Sequence, residues 1–491
     1  MESPTHLPQV KTLQTIALET IITYLHKACE MGGQDVADYV EKILDETYRQ
    51  LNIDQDMLYL SPAPLNQDTL LTTACRTGNT AIVRNLLLRC GKHVSVTDSN
   101  EGAVIETSAE IDGYTNKARL ARMINYVNGD GKTALTLACQ KGYVAMVQLL
   151  LGALFDADKR EALNHKDRFG NTALLIASMW GHAEIVKVIL EAYTDGDRLS
   201  ALNHENEDCR TALMFASQQE CAKSVKVILE AYADGDRLSA LNHKDDNGYT
   251  ALMFASTEGG AEMVKVILNA YPDTDRFSAL NHKNKYGDTA LMRASHSGDA
   301  KTVKVILEAC SASNRLSVLN HRNKEGNTAL MIASLRGRAE TVQVIIEACS
   351  NSDRLSALNH RNENGDTALL LATRFGLAET VKVILDAYTD GDRLSAQQHS
   401  CKAGRTALFY AVSHGNAPAV IVLLSALSSA DRVQAISHTD NDGSKSITAL
   451  CENFSRNWQF RGDFEATIEA LFMPLSYAER LSILGYTESE G

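Results

Sequence analysis

Eight histidines stand at a constant interval along the 491-residue chain. They are His165, His204, His243, His282, His321, His360, His399 and His438, and the step between neighbours never varies. Such a ladder could be a metal array, a catalytic series or a structural device. Zinc holds each imidazole nitrogen at about 2.0–2.1 Å, so two histidines sharing an ion bring their nitrogens to about 3–4 Å. Equivalent atoms of stacked repeating units start about 8–10 Å apart, the usual separation of packed helices. No Cys, Asp or Glu recurs nearby in a pattern that completes a metal site, and no repeated nucleophile accompanies the ladder. We therefore expect no metal, cofactor or catalytic residue. Most of these histidines end a Leu-Asn-His run that enters a turn, where the imidazole satisfies backbone groups left unpaired.

A second ladder consists of Arg198, Arg237, Arg276, Arg315, Arg354, Arg393 and Arg432. It could line a phosphate or carboxylate groove. Its return in every unit favours a first-turn Arg paired with an acid of the neighbouring unit. Met214, Met253, Met292 and Met331 resemble an adaptable binding stripe, but they occupy one framework position and are expected in the core.

The elements that position these residues follow from the same period. Thr-Ala-Leu begins at Thr133 and returns in step with the histidines as far as Thr406. Looser copies start at Thr448 and Thr69, which makes about ten units from residue 66 onward. The first unit carries an insertion near 91–120, expected as a long exposed loop. In the unit beginning at Thr172, that threonine can cap a helix carrying Leu174, Ile176 and Ala177 inward. Gly181 breaks it. A second helix over 183–193 buries Ile185, Val186, Ile189 and Leu190. Asp197 then reads as the cap of a short third helix over 198–202. No unit can hide its apolar face alone, so neighbours must stack into an all-α solenoid.

Residues 167–190, "DRFGNTALLIASMWGHAEIVKVIL", resemble the ankyrin repeat. Its signature is a turn closing on Gly-x-Thr-Pro-Leu-His, followed by Ala-Ala-x-x-Gly-His-x-Glu-Ile-Val. The resemblance runs from about residue 66 to 484. Ala173 and its equivalents replace the Pro, and Leu175, Met214, Met253, Met292, Met331 or Phe409 stand in place of the His. Each unit is also about six residues longer than the common 33. The resemblance implies a non-enzymatic scaffold or adaptor that binds a protein partner on its concave, turn-bearing face. In the family, partner contacts come from turn residues and from the two residues ahead of the inter-helix Gly. Carried onto this chain, they are Arg168, Phe169, Met179, Trp180, Tyr249, Tyr286, His296, Leu335, Arg336, Arg374 and Phe375. Arrays of this kind also occur in effectors that intracellular bacteria inject into host cells. The tail "TESEG" is similar to some effector secretion signals, which would place the chain in host cytosol.

Charge and the non-repeat ends set the remaining expectations. A formal charge of -13 argues against a nucleic-acid partner. No apolar run reaches the roughly 18–20 residues that span a bilayer. Ten scattered cysteines without a Cys-x-x-Cys pair suggest reduced thiols in a cytoplasmic compartment, and the chain is expected to be a monomer. Residues 1–65 read as two amphipathic helices forming an N-terminal cap or a small helical module, 66–446 as the repeats, and 447–491 as a degenerate last repeat and closing cap. The alternative function is an enzyme or ubiquitin-ligase adaptor. It would use the N-terminal segment, whose Leu7-Pro8 is F-box-like, or the first-unit insertion.

Overall fold

A computed structural model describes residues 23–28, 30, 40, 42–43, 68–90, 94–96, 105–107, 113–456 and 461–484. Its repeating element is a helix pair followed by a short third helix. First helices begin at Ala134, Ala173, Ala212, Ala251, Ala290, Ala329, Ala368 and Ala407, in strict register with the sequence period. The threonine before each holds an extended backbone, and Thr172 Oγ1 accepts the Leu175 amide at 3.5 Å. This satisfies one of the amides a helix start leaves orphaned. The second helix of that repeat, Ala183–Ala192, buries Ile185, Val186, Ile189 and Leu190. Leu175, Met214, Met253, Met292 and Met331 are all at most 1% exposed, so the family's His column is core here.

The chain clusters into two compact units, Met1–Ala240 and Leu241–Gly491. In the first, the helices Leu70–Thr77, Ala134–Lys141, Ala173–Met179 and Ala212–Gln218 pack side by side. Leu25 and Val40 are buried, and His26 Nδ1 lies 2.6 Å from Thr73 Oγ1. Leu7 and Pro8 fall outside the described residues. In the second unit the series runs to Ala407–Ser413 and ends with Ser446–Arg456. There Arg461–Phe472 packs on Ala417–Ser425, and Tyr477–Leu484 on Ser429–Ile436.

Part of the first-repeat insertion, expected as a loop, pairs as strands, and the remainder up to residue 112 lies outside the described residues. Val94–Val96 and Ile105–Thr107 pair as an antiparallel hairpin, the one sheet among the described residues. Both strands carry β-branched residues, which favour the pleated surface. The helix Gly113–Ile124 follows, and Ile124 is fully buried at the register position that Leu163 holds in the next repeat. That helix is therefore the first repeat's third helix, and the extra chain enters ahead of it.

Third helices start earlier than read from sequence. Asp195–Leu202 begins after an extended Thr194. Asp195 and Asp197 both lie in its first turn, where the helix dipole favours acids. Asp197 Oδ2 accepts from Thr194 Oγ1 at 2.9 Å instead of capping.

One repeat lacks both usual glycines. Cys209 keeps the left-handed backbone of the glycine it replaces, with φ 58°, whereas Gln219 and Glu220 abandon that geometry and Gln219 is extended. A side chain in the left-handed region costs about 1–2 kcal/mol. Glycine offsets about 0.5–1 kcal/mol of this by its greater freedom when unfolded. Cys209→Gly should therefore raise stability by about 0.5–1 kcal/mol, read as a higher thermal midpoint. An unchanged or lower midpoint would show that the thiol's own contacts outweigh the strain.

Candidate interaction groove

Four of the eight ladder histidines form backbone clamps, while His360 Nε2 is buried without a hydrogen-bond partner among the described residues. Nε2 of His165, His204, His282 and His438 lies 2.8–2.9 Å from the carbonyl of Gly131, Gly170, Gly248 and Gly404 respectively. A carbonyl only accepts, so Nε2 carries the proton in each. Each bond reaches back one repeat to the turn glycine. His321 instead donates to Asn281 Oδ1 at 2.6 Å. Desolvation holds His282, His321, His360 and His399 below the usual imidazole value, nearby cations push the same way, and at His282 the bond to Gly248 opposes the shift. Among the described residues no three His, Cys, Asp or Glu gather as a metal set. His243 is half-buried.

Five of the seven ladder arginines close on their own repeat and not on a neighbour's acid, whereas Nε of Arg315 and Arg354 is buried without a hydrogen-bond partner among the described residues. Nε of Arg198, Arg237, Arg276, Arg393 and Arg432 donates to a carbonyl near the end of the second helix just before it, at 2.9–3.1 Å. Arg198 also pairs with Asp195 of its own helix at 3.2 Å. The reason is reach: the third helix turns back beside the end of the second, whose last carbonyls need donors.

A tyrosine ladder went unread in the sequence. Tyr193 Oη donates to Leu163 O and Asn164 Oδ1, and Tyr232 Oη to Leu202 O and Asn203 Oδ1. Tyr271 repeats the pattern on Leu241 and Asn242, and Tyr388 donates to Asn359. Each fastens the preceding third helix to its successor. The signal was present as Ala-Tyr at the same period, at Tyr193, Tyr232, Tyr271 and Tyr388. Cys310 and Cys349 fill this place in two repeats, as free thiols bonded to their own helix carbonyls.

Turn tips are tied in a backbone ladder. The amides of Glu207, Lys285, Lys324, Glu363, Lys402 and Asn441 each donate to a carbonyl of the preceding tip, at 2.8–3.1 Å. The tips therefore present their side chains from a fixed frame. Phe169 and Tyr286 are exposed there. Trp180 and Phe375 are exposed at the ends of first helices, and Met179 beside Trp180 is half-buried. Two cations of the set expected to face a partner are engaged within the chain. Arg168 Nη2 donates to Gly129 O. Arg374 pairs with Asp366 at 3.2 Å and stacks 4.7 Å from the Tyr410 ring centroid. Desolvation raises the Asp366 carboxyl above its usual range, against the opposing pull of Arg374.

Five of the set come together in the second unit. Tyr249, Tyr286, His296, Leu335 and Arg336 line one open groove of about 470 Å³, with Met292, Arg293, Lys324 and Ile332 among its other walls. Arg293 organises it. Its guanidinium lies 5.4 Å from the Tyr249 ring centroid, 3.8 Å from Asp288, and its Nε donates to Thr257 Oγ1 at 3.4 Å. Tyr249 in turn lies 5.5 Å from the Phe254 ring. Arg293 was missed because the first-helix interior looks like framework. Its signal is that it is the one charge in the column Ile176, Phe215, Phe254, Ile332, Leu371 and Tyr410.

A backbone irregularity lies beside this wall. Ala255–Gly259 forms a π-helical turn, because Gly259 has φ -80° and the left-handed residue falls one place later, at Gly260. Other repeats place it at Gly181, Gly298, Gly337 or Gly376. Thr257, the acceptor for Arg293, lies within that turn. Wide turns of this kind are frequent at functional sites.

A family model described as ankyrin repeats (3 copies) matches residues 11–161, 113–200, 154–239, 194–278, 237–318, 276–354 and 352–435. No curated protein matches the chain.

Proposed function

Because the chain belongs to the ankyrin-repeat family, whose repeats are generally protein–protein interaction modules, we infer that it is a non-enzymatic scaffold or adaptor. The groove lined by Tyr249, Tyr286, His296, Leu335 and Arg336 is its partner site in the second unit. The observation that carries this reading is convergence. Five positions that the repeat leaves free to vary meet on one concavity, while the positions around them are spent on packing. Its walls combine two tyrosines with arginine, the side chains that most often anchor interfaces. The groove is open, as suits a peptide segment or a protruding loop more than an enclosed small molecule. Eight of the cysteines are free thiols, in keeping with action in a reducing cytoplasm. No described helix is long and apolar enough to cross a membrane.

A photo-reactive residue in place of Tyr286 should cross-link a discrete polypeptide in cytosol. Yield should fall at least about tenfold when Leu335→Ala is added, the loss expected of an interface anchor. The same probe in place of Lys304, on the outer face of the helix Ala300–Glu308, is the control. Equal capture from both positions, or capture indifferent to Leu335, would remove the groove as the binding site.

A further inference from the structure

We propose that the groove selects an acidic stretch of its protein partner, with Lys324 and Arg336 receiving Asp or Glu carboxylates while a neighbouring side chain rests on Tyr286 and Leu335. This rests on the groove being the partner site. The chain as a whole carries a formal charge of -13, yet this lining holds Arg293, Lys324 and Arg336 against only Asp288 and Glu325. Both acids are already engaged. Asp288 faces Arg293 at 3.8 Å and accepts from Asn323 Nδ2 at 3.1 Å, and Glu325 accepts from Asn327 Nδ2 at 2.9 Å. Arg293 is committed to Asp288, Thr257 and the Tyr249 ring. Lys324 and Arg336 are exposed and form no ion pair among the described residues.

That imbalance constrains the occupant. A partner that covers the groove strips water from two cations, which is costly unless each finds an anion. A neutral or basic segment leaves them uncompensated. A carboxylate meets Arg336 through paired N–H donors and Lys324 as a point charge. His296 reports the same field: after desolvation, the largest influences lowering its pKa are Arg336 and Arg293, with Arg338 adding to them and Asp288 opposing. The tyrosine and leucine walls supply apolar area beside the charges, so an acidic residue next to an apolar one fits better than an unbroken acidic run.

The test is a random peptide library displayed on phage and selected on the full chain. Enriched peptides should carry net negative charge, with Asp or Glu adjoining an apolar residue. Synthesised peptides should bind at least about tenfold more weakly to the Arg336→Gln, Lys324→Gln double variant, and more weakly at high salt. Both side chains are exposed, so the variant should melt as the parent does. Enriched peptides that are neutral or basic, ignore the double variant, yet lose binding to Tyr286→Ala would overturn the acidic selection and leave the groove as a peptide site. Enriched peptides indifferent to both variants would overturn the acidic selection and the groove together.

Discussion

Leu280→Ala should cost about 2–5 kcal/mol, the range for truncating a fully buried leucine. Leu280 is 1% exposed near the end of the third helix Asp273–Asn281. That helix is short and buries only Ala279 and Leu280. A helix of this length is not stable in water and depends on docking. In other repeats the next repeat's tyrosine also donates to the carbonyl at this position, as Tyr193 does to Leu163. Here the next repeat offers Cys310, whose Sγ bonds to Ile306 O instead. The remaining ties are Arg276 to Leu268 O at 3.1 Å, His282 to Gly248 O at 2.9 Å and His321 to Asn281 Oδ1 at 2.6 Å. The leucine is therefore the main apolar anchor of a segment with few others. Thermal or denaturant unfolding reads the cost, and amide exchange should quicken first across Asp273–Asn281. A change below about 0.5 kcal/mol, the size of an ordinary surface substitution, would mean that the extra segment is not part of the packed stack.

The same segment shows what sequence could and could not reveal. Periodicity located the repeat, because a repeat that stacks on itself must present the same apolar face every time. Thr172, Gly181 and the buried column at Leu175 were legible for that reason. Hydrogen-bond partners were not. Arg198 serves a carbonyl of its own repeat, and Tyr193 a carbonyl of the previous one. A one-dimensional period cannot distinguish within-repeat from between-repeat contacts, since both recur at the same interval. The hairpin at Val94–Val96 and Ile105–Thr107 occurs once and has no period to betray it. The groove was half legible. Tyr249, Tyr286, His296, Leu335 and Arg336 come from three successive repeats, and only stacking brings them onto one concavity. Arg293 escaped because framework columns were read as uniformly apolar, and it broke the one it sits in.

In the first compact unit, Trp180→Ala should weaken partner binding by about 2 kcal/mol or more, the effect expected of a hot spot. Trp180 ends the helix Ala173–Met179 and is 52% exposed, with Met179 half-buried before it. Its amide bonds to Ile176 O, whereas its indole makes no hydrogen bond among the described residues. Phe169, on the turn tip of the same repeat, is 66% exposed. Large apolar rings left in water at the family's variable positions gain most when a partner covers them. Fold stability should change little, because the stack leaves about half of that side chain in solvent. Ile176→Ala is the contrast: Ile176 is 4% exposed on the same helix, so its loss should cost stability through a cavity. Binding is measured with the polypeptide captured by a photo-reactive residue introduced at Phe169. If Trp180→Ala melts the protein and leaves that binding intact, Trp180 belongs to the stack and the first unit meets its partner elsewhere.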